Sequence, residues 1–326
     1  MDTKLFEELK AAGLISAASL EKTQFVQKNR LFSLHWELRT MLYLGVLFLS
    51  GGLGILVYKN IDTIGHTVIL IFICLVWAGG FYYCSKKKLP FSFLKVAAPN
   101  SFFDYILLLS CISFIIFIGY WQYQYHVFGE KFGLVTFIPM LVLFISAYFF
   151  DHLGVLSMAI TNLATWAGIA VTPLQILKAN VFNSESIIFT GIALGITLIA
   201  LGYVARLQNI KSHFEFTYTN FGMHLLFIVT LSAVFHFEKL YAIWFVVLAG
   251  IAFYFYKEAI RSKSFYILLM LTLYGYIGLS YVIINFIFST LYSDIGGIYL
   301  SLLYFIITSL GLIMFLIRMN KKLKAI

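Results

Sequence analysis

The side chains best placed to do chemistry in this chain are uncharged. Asn162, flanked by Thr161 and Thr165, stands about ten residues into a long apolar run, and Thr197 and the pair Thr308-Ser309 fall at similar depth in two others. Amide and hydroxyl groups at that depth can coordinate a substrate inside a membrane. They also serve as interhelical hydrogen bonds, each giving under about 1–2 kcal/mol, and packing is the reading we prefer. Asn162, Thr165, Thr197 and Thr308 are therefore the candidate midplane polar cluster.

Charged candidates are fewer. Asp151-His152 joins a carboxylate to an imidazole, the ingredients of a general acid–base pair. Adjacent residues point apart, however, and an Asp just before an apolar run is a good N-cap, so capping is preferred. His213 and His224 are eleven residues apart, not the i, i+4 spacing that sets two ligands on one helix face. No third ligand is implied, so neither a metal nor a cofactor is expected, and His224 reads as a lone packing or interfacial histidine. Neither a GxSxG serine elbow nor a Walker A lysine motif occurs. The sequence leans away from an enzyme. All fourteen Asp and Glu lie in loops or near the ends of apolar runs. That absence of midplane ions argues against a proton-coupled pump, which keeps an ionisable group inside the membrane. Cys74, Cys84 and Cys111 all fall in apolar segments, form no CxxC pair and read as packing.

These residues need elements to hold them, and composition says which. Of 326 residues 61% are apolar and 11% charged, against about 25% charged in soluble domains. A soluble fold of this size cannot hide so much apolar surface, and a disordered chain is polar. The expectation is an all-α, polytopic transmembrane helix bundle. A helix needs roughly 20 apolar residues to cross a core about 30 Å thick, and ten stretches qualify: 41–58, 64–84, 103–121, 133–150, 153–172, 187–205, 219–237, 240–256, 264–289 and 296–317. With both termini in the cytosol, all of the 23 Lys and Arg fall on the cytosolic side except Lys59, Lys131, Lys178 and Lys239, as the positive-inside rule requires. The net charge of +9 thus reads as orientation and not as nucleic-acid binding. Charge is blind to whole hairpins, so eight spans is the alternative.

Small residues mark close helix contacts: Gly191 with Gly195, Ala164 with Gly168, and Ser50 with Gly54. Tyr120 to His126, following the third stretch, reads as an aromatic belt. The two five-span halves, 41–172 and 187–317, are nearly equal in length, as an inverted repeat demands. They share no visible sequence pattern, and Pro90, Pro99, Pro139 and Pro173 all lie in the first. Before the bundle, residues 1–38 form an amphipathic cytosolic or interfacial segment. Leu5, Phe6 and Leu9 line one short helix ended by Gly13, and a second helix runs from about Ser19. The first long run reads as an uncleaved insertion signal. Residues 319–326 form a basic cytosolic tail.

The run LKAAGLISAASLEKTQFV (Leu9 to Val26), followed by LRTMLYLGVLFLSGGLGILVYKNID (Leu38 to Asp62), resembles the bacterial predicted-membrane-protein family catalogued as domain of unknown function 2157. Asn60 precedes Ile61 where that family usually has Trp. The resemblance implies a multi-pass protein of the bacterial inner membrane and supplies no activity. Two functions are expected from the whole: a transporter or translocator of a small neutral or lipid-like molecule, or a non-catalytic scaffold or assembly factor docking a protein partner through residues 1–38. Membrane lipids are partners on either reading.

Overall fold

A computed structural model describes residues 65–171, 185–291 and 295–325, with isolated residues before them. The chain divides into two units, Met1–Ile69 and Leu70–Ile326. In the first, Ser16 Oγ accepts from the Ser19 N–H at 3.2 Å, an N-cap geometry, and each described residue between 40 and 59 is helical. Apart from a few isolated residues, the rest of the expected 1–38 segment and of the 41–58 span lies outside the described residues.

The remaining described elements are α1 (His66–Lys87), α2 (Ser101–Tyr125), α3 (Phe132–Phe150), α4 (Leu153–Val171), α5 (Glu185–Leu207), α6 (Glu215–His236), α7 (Tyr241–Arg261), α8 (Phe265–Phe286) and α9 (Ile295–Ala325). A π-turn, Ile287–Leu291, continues α8. No strand occurs among the described residues. Eight of these helices are long and apolar enough to cross a membrane, and in α4 the apolar part is the shorter Leu153–Gly168. The protein is an all-α polytopic membrane bundle. That follows from elementary constraints: in hydrocarbon every backbone N–H and C=O must bond within its own segment, and the helix achieves this.

The helix ends have local causes. Asn100 accepts from the Phe103 N–H at 2.8 Å and starts α2, and Ser264 does the same for Ile267 at the start of α8. At the other end of α2, buried Gln122 bonds the Gly129 carbonyl and the Phe128 N–H, both at 2.8 Å, and folds the 126–131 loop over itself.

Two apolar clusters fill the bundle. One gathers Phe103, Leu107, Cys111, Leu143, Ala147, Leu156, Ile160, Leu198 and Tyr218 from α2 to α6. The second gathers Met223, Phe227, Leu231, Leu248, Phe255, Ala259 and Leu268 from α6 to α8, with Leu323 of α9. Among the described residues α6 alone adds buried side chains to both, Tyr218 to the first and Met223, Phe227 and Leu231 to the second, which makes it the shared helix. Its sequence is correspondingly the least apolar of the eight, because a helix wrapped by protein need not match lipid. At the other extreme α9 buries almost nothing, with Ile298, Leu302, Ile306, Leu310, Met314 and Ile317 each more than half exposed. Such a surface fits hydrocarbon and not water.

Glycine brings two backbones together. A Cβ on Gly195 would stand 2.7 Å from Leu226 Cγ, and one on Gly222 would stand 2.9 Å from the Gly195 carbonyl oxygen. The α5 and α6 backbones touch there, so the Gly191–Gly195 spacing does what the sequence suggested.

Candidate functional site

The four neutral candidates are each placed on a helix, and they do not converge. Asn162 Nδ2 donates to the Met158 carbonyl at 3.2 Å, Thr165 Oγ1 to Thr161 at 2.9 Å, and Thr197 Oγ1 to Ala193 at 2.8 Å. All three hydrogen bonds run back along their own helices. Thr165 and Thr197 face outward. Thr308 alone reaches a second helix: its hydroxyl lies 2.9 Å from the Tyr276 hydroxyl while bonding the Tyr304 carbonyl at 2.7 Å. His224 is not alone either. Its two ring nitrogens sit 2.7 Å and 2.9 Å from the hydroxyls of Tyr266 and Tyr274, eight residues apart on one face of α8.

Asp151 is not the N-cap of α4. It has a left-handed backbone (φ 58°) at the end of α3, its own N–H closing on the Ala147 carbonyl. The cap is His152, whose Nδ1 accepts from the Val155 N–H at 3.2 Å and whose other nitrogen lies 3.6 Å from Asp104. Burial lowers the His152 pKa below its ordinary 6.5, with the carboxylates of Asp104 and Asp151 pulling the opposite way. The carboxylate of Asp151 is therefore free for tertiary work. It meets Lys211 Nζ at 2.9 Å and His213 Nε2 at 2.6 Å, with the Asp151 and Lys211 side chains 2% and 1% exposed. It also accepts the Val96 N–H. Lys211 completes the clasp from a left-handed backbone of its own (φ 50°). Its N–H donates to the Phe93 carbonyl at 2.8 Å and its ammonium to that of Leu94 at 3.3 Å. One buried ion pair thus fastens the 91–96 segment to the α3–α4 turn and the α5–α6 turn.

Beside the clasp, at the same end of the bundle, the ends of α5 to α8 enclose a cleft of about 640 Å³ lined by Arg206, Ser212, His213, Glu215, Thr219, Glu258, Arg261 and Ser264. A second cleft of about 340 Å³ shares Arg206, Glu215, Thr219, Glu258 and Arg261 and adds Ile199, Tyr203, Tyr254 and Lys257. A third of about 390 Å³ shares Ile199 and Tyr254 with the second. It is otherwise apolar: Ile196, Leu226, Val247, Gly250, Ile251 and Phe255. Together the three form one groove over α6, walled by α5 and α7, charged at its mouth and greasy along its length. Ile196, Val247 and Tyr254 are substantially exposed, so the groove opens sideways towards lipid. From Arg206 to Ile196, and from Lys257 to Val247, it follows ten residues of helix, about 15 Å at 1.5 Å per residue. That is half of a hydrocarbon core of about 30 Å.

Two ion pairs stand in the mouth, Arg206–Glu215 and Arg261–Glu258, both at 2.8 Å. Lys257 places its ammonium 4.6 Å from the Phe253 ring centre and makes no ion pair with another described residue. Arg206, Lys257 and Arg261 had been read only as orientation charges. The signal that marks them as a site is the mixture of signs at three successive helix ends, because orientation alone calls for no Glu215 or Glu258.

Residues 7–156 match the family model described as "Predicted membrane protein (DUF2157)". The match bears out the resemblance read from residues 9–62 and carries it through α1, α2 and α3 to the start of α4. The Asp151 end of the clasp lies inside the matched segment, while Lys211, His213 and the whole groove lie beyond it. No curated protein and no solved structure matches the chain.

Proposed function

We propose that this membrane protein handles lipid: it takes an amphiphilic molecule sideways from one leaflet into the α5–α7 groove, as the loading step of a translocator. The observation that carries this reading is the groove's grading from ions to aliphatic side chains over the thickness of one leaflet. A molecule seated there keeps its polar end among Arg206, Lys257 and Arg261 and lays its tail against Ile196, Ile199, Val247 and Ile251. Both halves are then matched, since neither is left facing a medium of the wrong polarity. The family resemblance implies the bacterial inner membrane, and on the charge pattern the mouth opens on its cytosolic side.

Gly250 provides the test. It lines the groove, and a Cβ there meets nothing within 4 Å, so Gly250→Phe starts from open space and puts an aromatic ring where the tail would lie. In vesicles containing a phospholipid with a photoreactive acyl chain, labelling is expected on 196–206 and 247–257, and Gly250→Phe should suppress it. Labelling spread evenly around the bundle, or unchanged by Gly250→Phe, would overturn the proposal.

A further inference from the structure

Resting on that reading, we infer that the groove's mouth is a binding site for the phosphodiester of an anionic phospholipid, with Lys257 as the charge that selects it. The mouth counts three cations, Arg206, Lys257 and Arg261, against two carboxylates, Glu215 and Glu258, an excess of one positive charge. A phosphodiester carries one negative charge. Each arginine engages its glutamate through one terminal nitrogen, and a guanidinium has five N–H donors in all. The arginines therefore keep donors for a second anion without giving up their ion pairs. Lys257 has no carboxylate to give up and presents a mobile point charge.

Geometry separates phosphate from the other anion that carries a greasy tail. The cations come from two helices on opposite sides of the mouth, Arg206 from α5 and Lys257 and Arg261 from α7. A tetrahedral phosphate with two free oxygens and two esterified ones can address both sides while its ester arms run in opposite directions. One arm leads into the apolar groove. The other leads to the adjoining 640 Å³ cleft, where Ser212, Thr219 and Ser264 offer hydroxyls to a polar headgroup. A fatty-acid carboxylate is terminal: it has a tail and nothing to place in that cleft. A headgroup bearing its own ammonium would cancel the phosphate's charge and set a cation near Arg206 and Arg261, whose glutamates are already engaged.

The test uses the full chain in detergent, stripped of lipid and titrated with phosphatidylglycerol, phosphatidylcholine, oleate or inorganic phosphate, with bound species counted by native mass spectrometry. Phosphatidylglycerol is expected to bind at least about 10-fold more tightly than phosphatidylcholine or oleate, and millimolar inorganic phosphate to leave it bound. Lys257→Gln should erase that preference and Lys257→Arg should keep it. Lys257 is exposed, and an unchanged melting temperature of Lys257→Gln reports that the variant is folded. Equal binding of phosphatidylglycerol and phosphatidylcholine, both blocked by Gly250→Phe, would overturn the headgroup inference and leave the groove standing. Binding of every lipid unaffected by Gly250→Phe would overturn the groove itself. Equally tight oleate would assign the mouth to carboxylates, and displacement by inorganic phosphate would assign it to a free anion.

Discussion

Asp151→Asn removes one charge from the clasp and changes little else. Asn tolerates the left-handed backbone that residue 151 adopts, and its amide oxygen can still accept the Val96 N–H. What it leaves behind is Lys211, a cation whose side chain is 1% exposed. At 2.9 Å and an effective dielectric constant of about 20, the attraction between the two charges is about 6 kcal/mol before desolvation is counted. Desolvation takes back several kcal/mol per ion, so the intact pair adds little net stability. Removing one partner is different, because the other stays buried without compensation, at a cost of about 3–5 kcal/mol. Asp151→Asn should destabilise the protein by about that amount in detergent unfolding, Lys211→Met by less because Asp151 keeps His213 and the Val96 N–H, and the double variant by no more than Asp151→Asn alone. Trypsin cleavage after Lys95, in the segment the clasp fastens, should speed up in both single variants. If the two losses simply add, or if Asp151→Asn melts like the parent protein, then the ion pair is not what holds the 91–96 segment.

Gly222→Leu should do more damage than an aliphatic insertion elsewhere in the bundle. Its Cβ alone would come within 2.9 Å of the Gly195 carbonyl oxygen, and backbone cannot swing aside, so a loss above the usual 1–3 kcal/mol of overpacking is expected. Gly275→Leu, where a Cβ meets nothing within 4 Å, is the control, and equal melting temperatures for the two would refute the contact. For His152, burial lowers the pKa in the fold below the unfolded value near 6.5. Its stability contribution is therefore complete above pH 6.5 and is lost as the pH falls, because the unfolded chain takes up a proton that the fold refuses. His152→Asn, which keeps a capping oxygen, should reduce the fall in melting temperature between pH 7 and pH 5. An undiminished fall would show that His152 is not its source.

The sequence displays the helices because each apolar run must satisfy its own backbone in lipid, a constraint local enough to be seen in twenty residues. The Gly191–Gly195 contact was visible for the same reason, its spacing lying within one helix. The clasp was hidden: Asp151 and Lys211 are 60 residues apart, and each has an ordinary local explanation, a cap for one and a loop charge for the other. Groove residues were concealed by a different ambiguity. A lysine or arginine that orients a helix and one that lines a binding site look identical until neighbouring helices bring Arg206, Lys257 and Arg261 round one opening. His224 sits in a helix contact, as a packing histidine does, but its partners, Tyr266 and Tyr274, belong to a helix forty residues further on and are not legible from its own segment. Of the neutral midplane cluster only Thr308 engages another helix; all four bond the carbonyl one turn back on their own helix, and Thr308 alone also has a hydroxyl, that of Tyr276, within reach.

The meeting of α5 and α6 at Gly195 and Gly222 brings the two backbones together with the side chains of Leu226 and Ile199 packed directly on the glycines. A joint packed that closely leaves little room for sliding, so the two helices act together as one wall. Breathing of the bundle must then be taken up at the other wall, α7, which buries only Leu248, Phe255 and Ala259. The aperture between α5 and α7 is therefore set on one side by a pair of touching backbones and on the other by a helix with half as many buried residues as α5.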